Sequence, residues 1–263
     1  MRNLSFRVRS LGSEKPVVSE IGVLDDWIQQ HVGIAADLIT WEMETTLRAQ
    51  VSDVRYPAAG GMWYGNRILA AFPNVSEKRI FCEFDLHMDD IFADCMAAGK
   101  IQKGVWWSVP SPQELNLIDD YFEDEAIAFE EVVNAMTRLF RFMRDMGAVG
   151  HILLYNDVPD PIDQEQFFGK HFLRYVPDAF LEELLEIQRD LILSADAVSR
   201  IPELLDCYSI RHVYVTDPTV EALIEVCHLV DPEDVFCAGI APRMIQEAYW
   251  RHLSNLRVCV LDV

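Results

Sequence analysis

Between Gly147 and Gly239, four short apolar runs rich in Ile, Leu and Val each end on a small polar cluster. They are His151–Asp157 (HILLYND), Leu191–Asp196 (LILSAD), His212–Asp217 (HVYVTD) and Val235–Gly239 (VFCAG). A helically patterned segment separates each run from the next. Strands of this length alternating with helices indicate parallel βαβ units, because parallel neighbours need a crossover connection. This pattern constrains the chain more than any single motif in it, and it specifies an α/β fold.

Across the whole chain, strand candidates centre near residues 17, 53, 107, 153, 193, 214, 236 and 259. Eight alternating units in a chain of 263 residues predict one TIM-type (βα)8 barrel spanning 1–263 as a single domain. The chain stops just after its eighth candidate, which reads as a short C-terminal end. An open doubly wound sheet is the competing arrangement. Its dinucleotide-binding form requires Gly-x-Gly-x-x-Gly after the first strand, and neither that nor a phosphate-loop Gly-x-x-x-x-Gly-Lys-Ser/Thr occurs.

Charge narrows the partners. Asp and Glu outnumber Lys and Arg by 43 to 22, for a formal charge of −21. Nucleic acid and anionic membranes both need clustered cations, so neither is an expected partner. No apolar run approaches the roughly 20 residues of a spanning helix. The first residues lack the apolar core of a secretory signal. Six cysteines without a Cys-x-x-Cys pair read as reduced thiols. The expected setting is the cytoplasm, and the expected partner a small-molecule substrate.

Three stretches carry a likeness to a known group. Leu117–Asp124 (LIDDYFED), a long helix and then Gly147–Asp157 follow the order of an acidic helix leading to an aspartate-tipped strand. Gly169–Pro177 is similar to the segment before the fifth strand of that group, and Val235–Arg243 to its seventh strand and following turn. On these segments the chain resembles the superfamily of uroporphyrinogen decarboxylase and the cobamide-dependent coenzyme M methyltransferases. The resemblance implies a (βα)8 enzyme acting on a small molecule or a corrinoid-borne methyl group, with a corrinoid protein as partner. It also implies, for the methyltransferases, a zinc ion held by His-x-Cys at the end of strand five and a later Cys. The matching positions here are Ser194, Ala195 and Asp196, with Cys259 in the last strand. Ser and a carboxylate replace the thiolate and imidazole that suit zinc. The arginine-rich N-terminal motif of the decarboxylases has no match either. A catalytically silent barrel that binds a ligand or partner is the alternative.

In a barrel the site is built at the C-terminal strand ends. Read so, the ends offer Ser19-Glu20, Arg55-Tyr56, Ser108, Tyr155-Asn156-Asp157, Ser194-Ala195-Asp196, Thr216-Asp217 and Asp262. Asp157 and Asp196 are the expected catalytic residues. Tyr155, Asn156, Ser194, Asp217, Arg55 and Tyr56 are the expected substrate contacts. Four aspartates on one rim could instead hold a hard divalent cation. Asp196 and Asp217 also read as ordinary helix caps. Elsewhere, His151 and His212 precede their strands and read as structural, while His171 and Arg174 read as sharing a helical face. Asp89, Asp90 and Asp94 read as an acidic helix face. Glu83, Asp85 and His87 would share one face of a strand and form a metal set by ligand type. Trp106 and Trp107 point to opposite faces of theirs.

Overall fold

A computed structural model describes residues 2–17, 21–31 and 37–260. The strands are β1 (Arg2–Ser5), β2 (Arg7–Ser13), β3 (Ala58–Gly60), β4 (Val75–Ser76), β5 (Arg79–Ile80), β6 (Trp106–Pro110), β7 (Ile118–Asp119), β8 (His151–Leu154), β9 (Phe172–Tyr175), β10 (Asp190–Ser194), β11 (His212–Thr216), β12 (Val235–Ala241) and β13 (Arg257–Val260). The helices are α1 (Ile21–Gln30), α2 (Leu38–Arg48), α3 (Gly65–Ala70), α4 (Asp89–Ile101), α5 (Glu125–Asp145), α6 (Pro161–Gln166), α7 (Leu181–Ile187), α8 (Ile201–Cys207), α9 (Val220–Leu229) and α10 (Gln246–Asn255). The fold is mixed α/β. Two four-stranded parallel sheets, β3-β6-β8-β9 and β10-β11-β12-β2, carry helices on their outer faces.

Two seams relate these sheets. At one, Arg9 of β2 forms a parallel bridge with Tyr56, just before β3. At the other, the Gln188 side chain does the work of a peptide. Its amide accepts from the Arg174 N–H at 2.9 Å and donates to the carbonyls of Arg174, at 3.1 Å, and Asp190. Strand alternation then sorts the side chains. Leu11, Ala58, Ile152, Leu154, Leu173, Ile192, Tyr214, Phe236 and Ala238, with Trp106 against them, form one cluster drawn from both sheets. The opposite faces meet helices. Trp107, Tyr155, Phe140 and Phe167 belong to a second cluster, and Val8, Leu193, Val215, Cys237 and Trp250 to a third. Each fully buried aliphatic side chain contributes about 1.5–3 kcal/mol in such a setting. Trp106 and Trp107 face opposite sides as alternation requires.

Several sequence expectations are corrected. The candidate at 15–20 is not the first strand: residues 14–17 are irregular and 18–20, with Ser19 and Glu20, lie outside the described residues. The first parallel strand is β2, whose inward positions begin with two arginines and so hide its pattern. Residues 51–53 form a turn, Tyr56 makes only the isolated bridge to Arg9, and the strand lies at 58–60. Phe172–Tyr175 is a strand where a helix was expected, so His171 and Arg174 share no helical face. The run near 259 is a strand, but it pairs antiparallel with β1, outside the parallel sheets. Leu117–Asp124, likened to an acidic helix, holds only the two-residue β7 followed by bends. Asp262 lies outside the described residues. Among the described residues no helix is long and apolar enough to cross a membrane.

Candidate functional site

Several of the expected residues lie at the carboxyl ends of the parallel strands. The most developed group there is Asp217. It follows β11 with a φ of 46°, in the left-handed region that side chains other than glycine seldom adopt. Its Oδ1 accepts a hydrogen bond from the Tyr249 hydroxyl of α10 at 2.6 Å. A glycine makes this possible: a Cβ at Gly239 would sit 1.7 Å from the Tyr249 hydroxyl. Burial, then the bond to Asp217, pushes the Tyr249 phenol well above its usual value, so it remains a proton donor. Asp217 is not a helix cap, because Thr219 caps α9.

Beside it, Ser194 donates through its hydroxyl to Asp178, whose other oxygen accepts the Ser194 N–H at 3.0 Å. Burial, followed by the charge of Asp178, raises the pKa of the Tyr175 phenol. After β8, Glu114 accepts from both the backbone N–H and the side-chain amide of Asn156. Asp157 is exposed, and its Oδ1 accepts the N–H of Val158 at 2.7 Å. Asp196 is exposed in the short turn after β10. Sequence reasoning missed Asp178, Glu114 and Tyr249. Each sits after a strand or on a helix whose position only the packing reveals.

Four of the strand-end candidates are placed elsewhere. Tyr155 is buried and turns to the helical side of its sheet, where its hydroxyl donates to Asp163 at 3.2 Å. Alternation is the reason, since Leu154 before it faces inward. Arg55 and Tyr56 lie at the amino end, because β3 begins two residues after them. Ser108, midway along β6, donates to the Leu11 carbonyl at 2.6 Å.

Arg67, Asp94 and His151 are built into the packing. Arg67 is 2% exposed and gathers Asp94, itself 0% exposed, with Asp37 and Asp90 at 2.6–3.2 Å. Asp94 also accepts from Thr40 and Tyr64 at 2.8 Å, so the expected acidic helix face is in part a buried ion network. His151 is fully buried, and desolvation pushes its pKa down to about 3. Glu83, Asp85 and His87 lie in an irregular segment. Among the described residues no group of three or more His, Cys, Asp or Glu side chains is placed to hold a metal ion. The zinc positions do not fit that ion either: Ser194 is committed to Asp178, Asp196 faces solvent, and Cys259 is exposed on β13.

Comparison with known proteins bears on the fold. Five chains of known structure match. One is assigned as a vitamin-B12-independent methionine synthase of Listeria monocytogenes. It is 13% identical with a TM-score of 0.59, over 95% of this chain and 96% of that one. Another is a B12-independent methionine synthase of a Shewanella species, solved with selenomethionine. It is 10% identical with a TM-score of 0.52, over 90% and 91% of the two chains. At these identities the likeness is one of fold. No protein-family profile matches the chain, and no curated protein matches it.

Proposed function

We infer that the eight parallel strands close into a single barrel and that its carboxyl rim is the site of a methyl-transfer type of enzyme acting on a small molecule. The inward cluster shared by all eight strands, the Arg9–Tyr56 bridge and the Gln188 amide support closure. The fold likeness to methionine synthases and the resemblance in sequence support the reaction class. The observation that carries the site is the Tyr249–Asp217 pair on a left-handed backbone at a strand end. With Oδ1 held by Tyr249, the other carboxylate oxygen is the proposed general base. It takes the proton that a thiol acceptor loses as its sulfur attacks the methyl group, while the donor leaves with the electrons of the broken bond. Asp157 and Asp196 are proposed as further carboxylates of the same rim, with Asn156 and Ser194 as substrate contacts. No step is drawn through zinc.

The test supplies methylcobalamin, and separately a methyl-folate, with a small thiol, and follows methylated thiol by mass spectrometry. Transfer that falls by about two orders of magnitude in Asp217→Asn is expected for a lost general base. Transfer unaffected by Asp217→Asn, Asp157→Ala and Asp196→Ala, in folded variants, removes the rim from the chemistry. A catalytically silent, ligand-binding barrel is the second reading. It rests on Ser194, Ala195 and Asp196 standing where the resembled methyltransferases hold zinc, and saturable binding of a donor without transfer would support it.

A further inference from the structure

The opposite end of the strands holds a cavity that the reading above does not use. It has a volume of about 490 Å3 and opens at the amino ends of β2, β9, β10 and β11. In a chain of formal charge −21, its walls carry Arg7, Arg9, Lys170, Arg189 and Arg211, against the single carboxylate of Asp190. That carboxylate is occupied: it accepts from Arg211 at 2.8 and 3.1 Å and contacts His212 at 2.9 Å. Lys170 and Arg189 are exposed at the mouth. The volume suits a small-molecule ligand.

Arg9 decides what the cavity is for. It is only 7% exposed, and its Nε and Nη1 have no hydrogen-bond partner. The guanidinium lies 5.0 Å from the ring of Tyr56, 4.7 Å from Trp106 and 5.3 Å from Tyr214. Aromatic rings satisfy the faces of a guanidinium, whereas its N–H donors point outward from the edge in the plane. Those edge donors are what remain unmet, and an unmet buried charge is costly. Burial lowers the pKa of the group, with the polar neighbours Tyr214 and Asp190 acting against it. Arginine nevertheless keeps its proton in proteins, so it cannot escape the cost by neutralising.

We propose that this amino-end cavity is a binding site for a small organic phosphate monoester, whose phosphate oxygens take the free edge donors of Arg9 while Arg7, Lys170 and Arg189 balance its charge. A dianion matches the excess of cations, and the planar fork of Arg9 matches paired phosphate oxygens. The site lies at the other end of the strands from the proposed methyl-transfer rim and is independent of it.

The experiment titrates the full chain at constant ionic strength with inorganic phosphate, adenosine 5′-monophosphate, adenosine and succinate, following tryptophan fluorescence and heat. Saturable binding of the monophosphate, absent for adenosine and competed by inorganic phosphate, is expected. Arg9→Met should weaken it by at least about thirtyfold, the effect of removing one partner of a buried charge-assisted bond. Should Arg9→Met not fold, Lys170→Ala combined with Arg189→Ala removes two exposed cations that make no side-chain hydrogen bond among the described residues. That pair should weaken binding about threefold to tenfold and flatten its salt dependence. No saturable binding of either phosphate, equal binding of adenosine, or tighter binding of succinate would each overturn the proposal. So would affinity unchanged in the Arg9 variant or, if that does not fold, in the double variant.

Discussion

Two of the buried arginines are treated in opposite ways. Arg67, between α2 and α4, places its donors on Asp37, Asp90, Asp94 and Thr40. Arg9, at the amino end of β2, meets three aromatic rings and leaves two donors unpartnered. Their pKa values move apart accordingly. Burial lowers both, but the bonds to Asp37 and Asp94 more than reverse it for Arg67, whereas no carboxylate at bonding distance does so for Arg9. A buried charge with all its partners belongs to the architecture. One that lacks them, at the wall of a cavity, is open to a partner from outside.

The sharpest way to break that comparison is to remove each charge in turn. Arg67→Met strands the Asp94 carboxylate, and should cost about 3–5 kcal/mol of unfolding free energy in urea titration. Arg9→Met strands nothing, and should change stability by less than about 1 kcal/mol or raise it. Equal losses would make Arg9 an ordinary structural residue.

His151 of β8 and Asp163 beside it show the third course open to a buried group, which is to shed its charge. Burial, only partly offset by Arg174 and Tyr155, pushes the Asp163 carboxyl up to about 7 from 3.8. The folded state therefore holds a proton that the unfolded state releases. The associated stability is complete below pH 3.8 and is lost as pH rises through 7. Asp163→Asn, which mimics the protonated acid, should exceed the wild type by about 2–4 kcal/mol at pH 8 and by little at pH 4. A constant difference across that range would mean the carboxyl is charged in the fold.

His151 works with the opposite sign. Its pKa falls from 6.5 to about 3, so the unfolded state binds the proton first on acidification. Stability is complete above pH 6.5 and declines as pH drops toward 3. His151→Asn should remove about 2 kcal/mol of that decline between pH 6.5 and 4; an unchanged slope would place the titration elsewhere. The smallest effect is expected at the rim. Tyr249→Phe deletes one partly exposed hydrogen bond and should cost about 1 kcal/mol or less, measured by the same urea titration.

Much of the fold was legible. The alternation from Gly147 to Gly239 placed β8, β10, β11 and β12, and Trp106-Trp107 marked β6 with its two faces. What escaped was β3, expected at 51–56 but lying at 58–60, and, for a different reason, β2 and β9. Both carry charged side chains, Arg7, Arg9 and Arg174, at positions an apolar template reads as solvent. The same residues line the amino-end cavity. Local rules fail most where a chain keeps polar groups inside for a purpose.

The amino-acid sequence by itself determined the α/β class, the parallel connectivity of the central units and the polar tips at several strand ends. These follow from side-chain period and turn chemistry, which are local. The tertiary structure alone decided which tips meet. It turned Tyr155 away from the rim, joined Asp217 to a tyrosine 32 residues along the chain, and set Arg9 among rings from three other segments. Those contacts depend on which strands lie side by side, and strand order is set by packing across the whole chain.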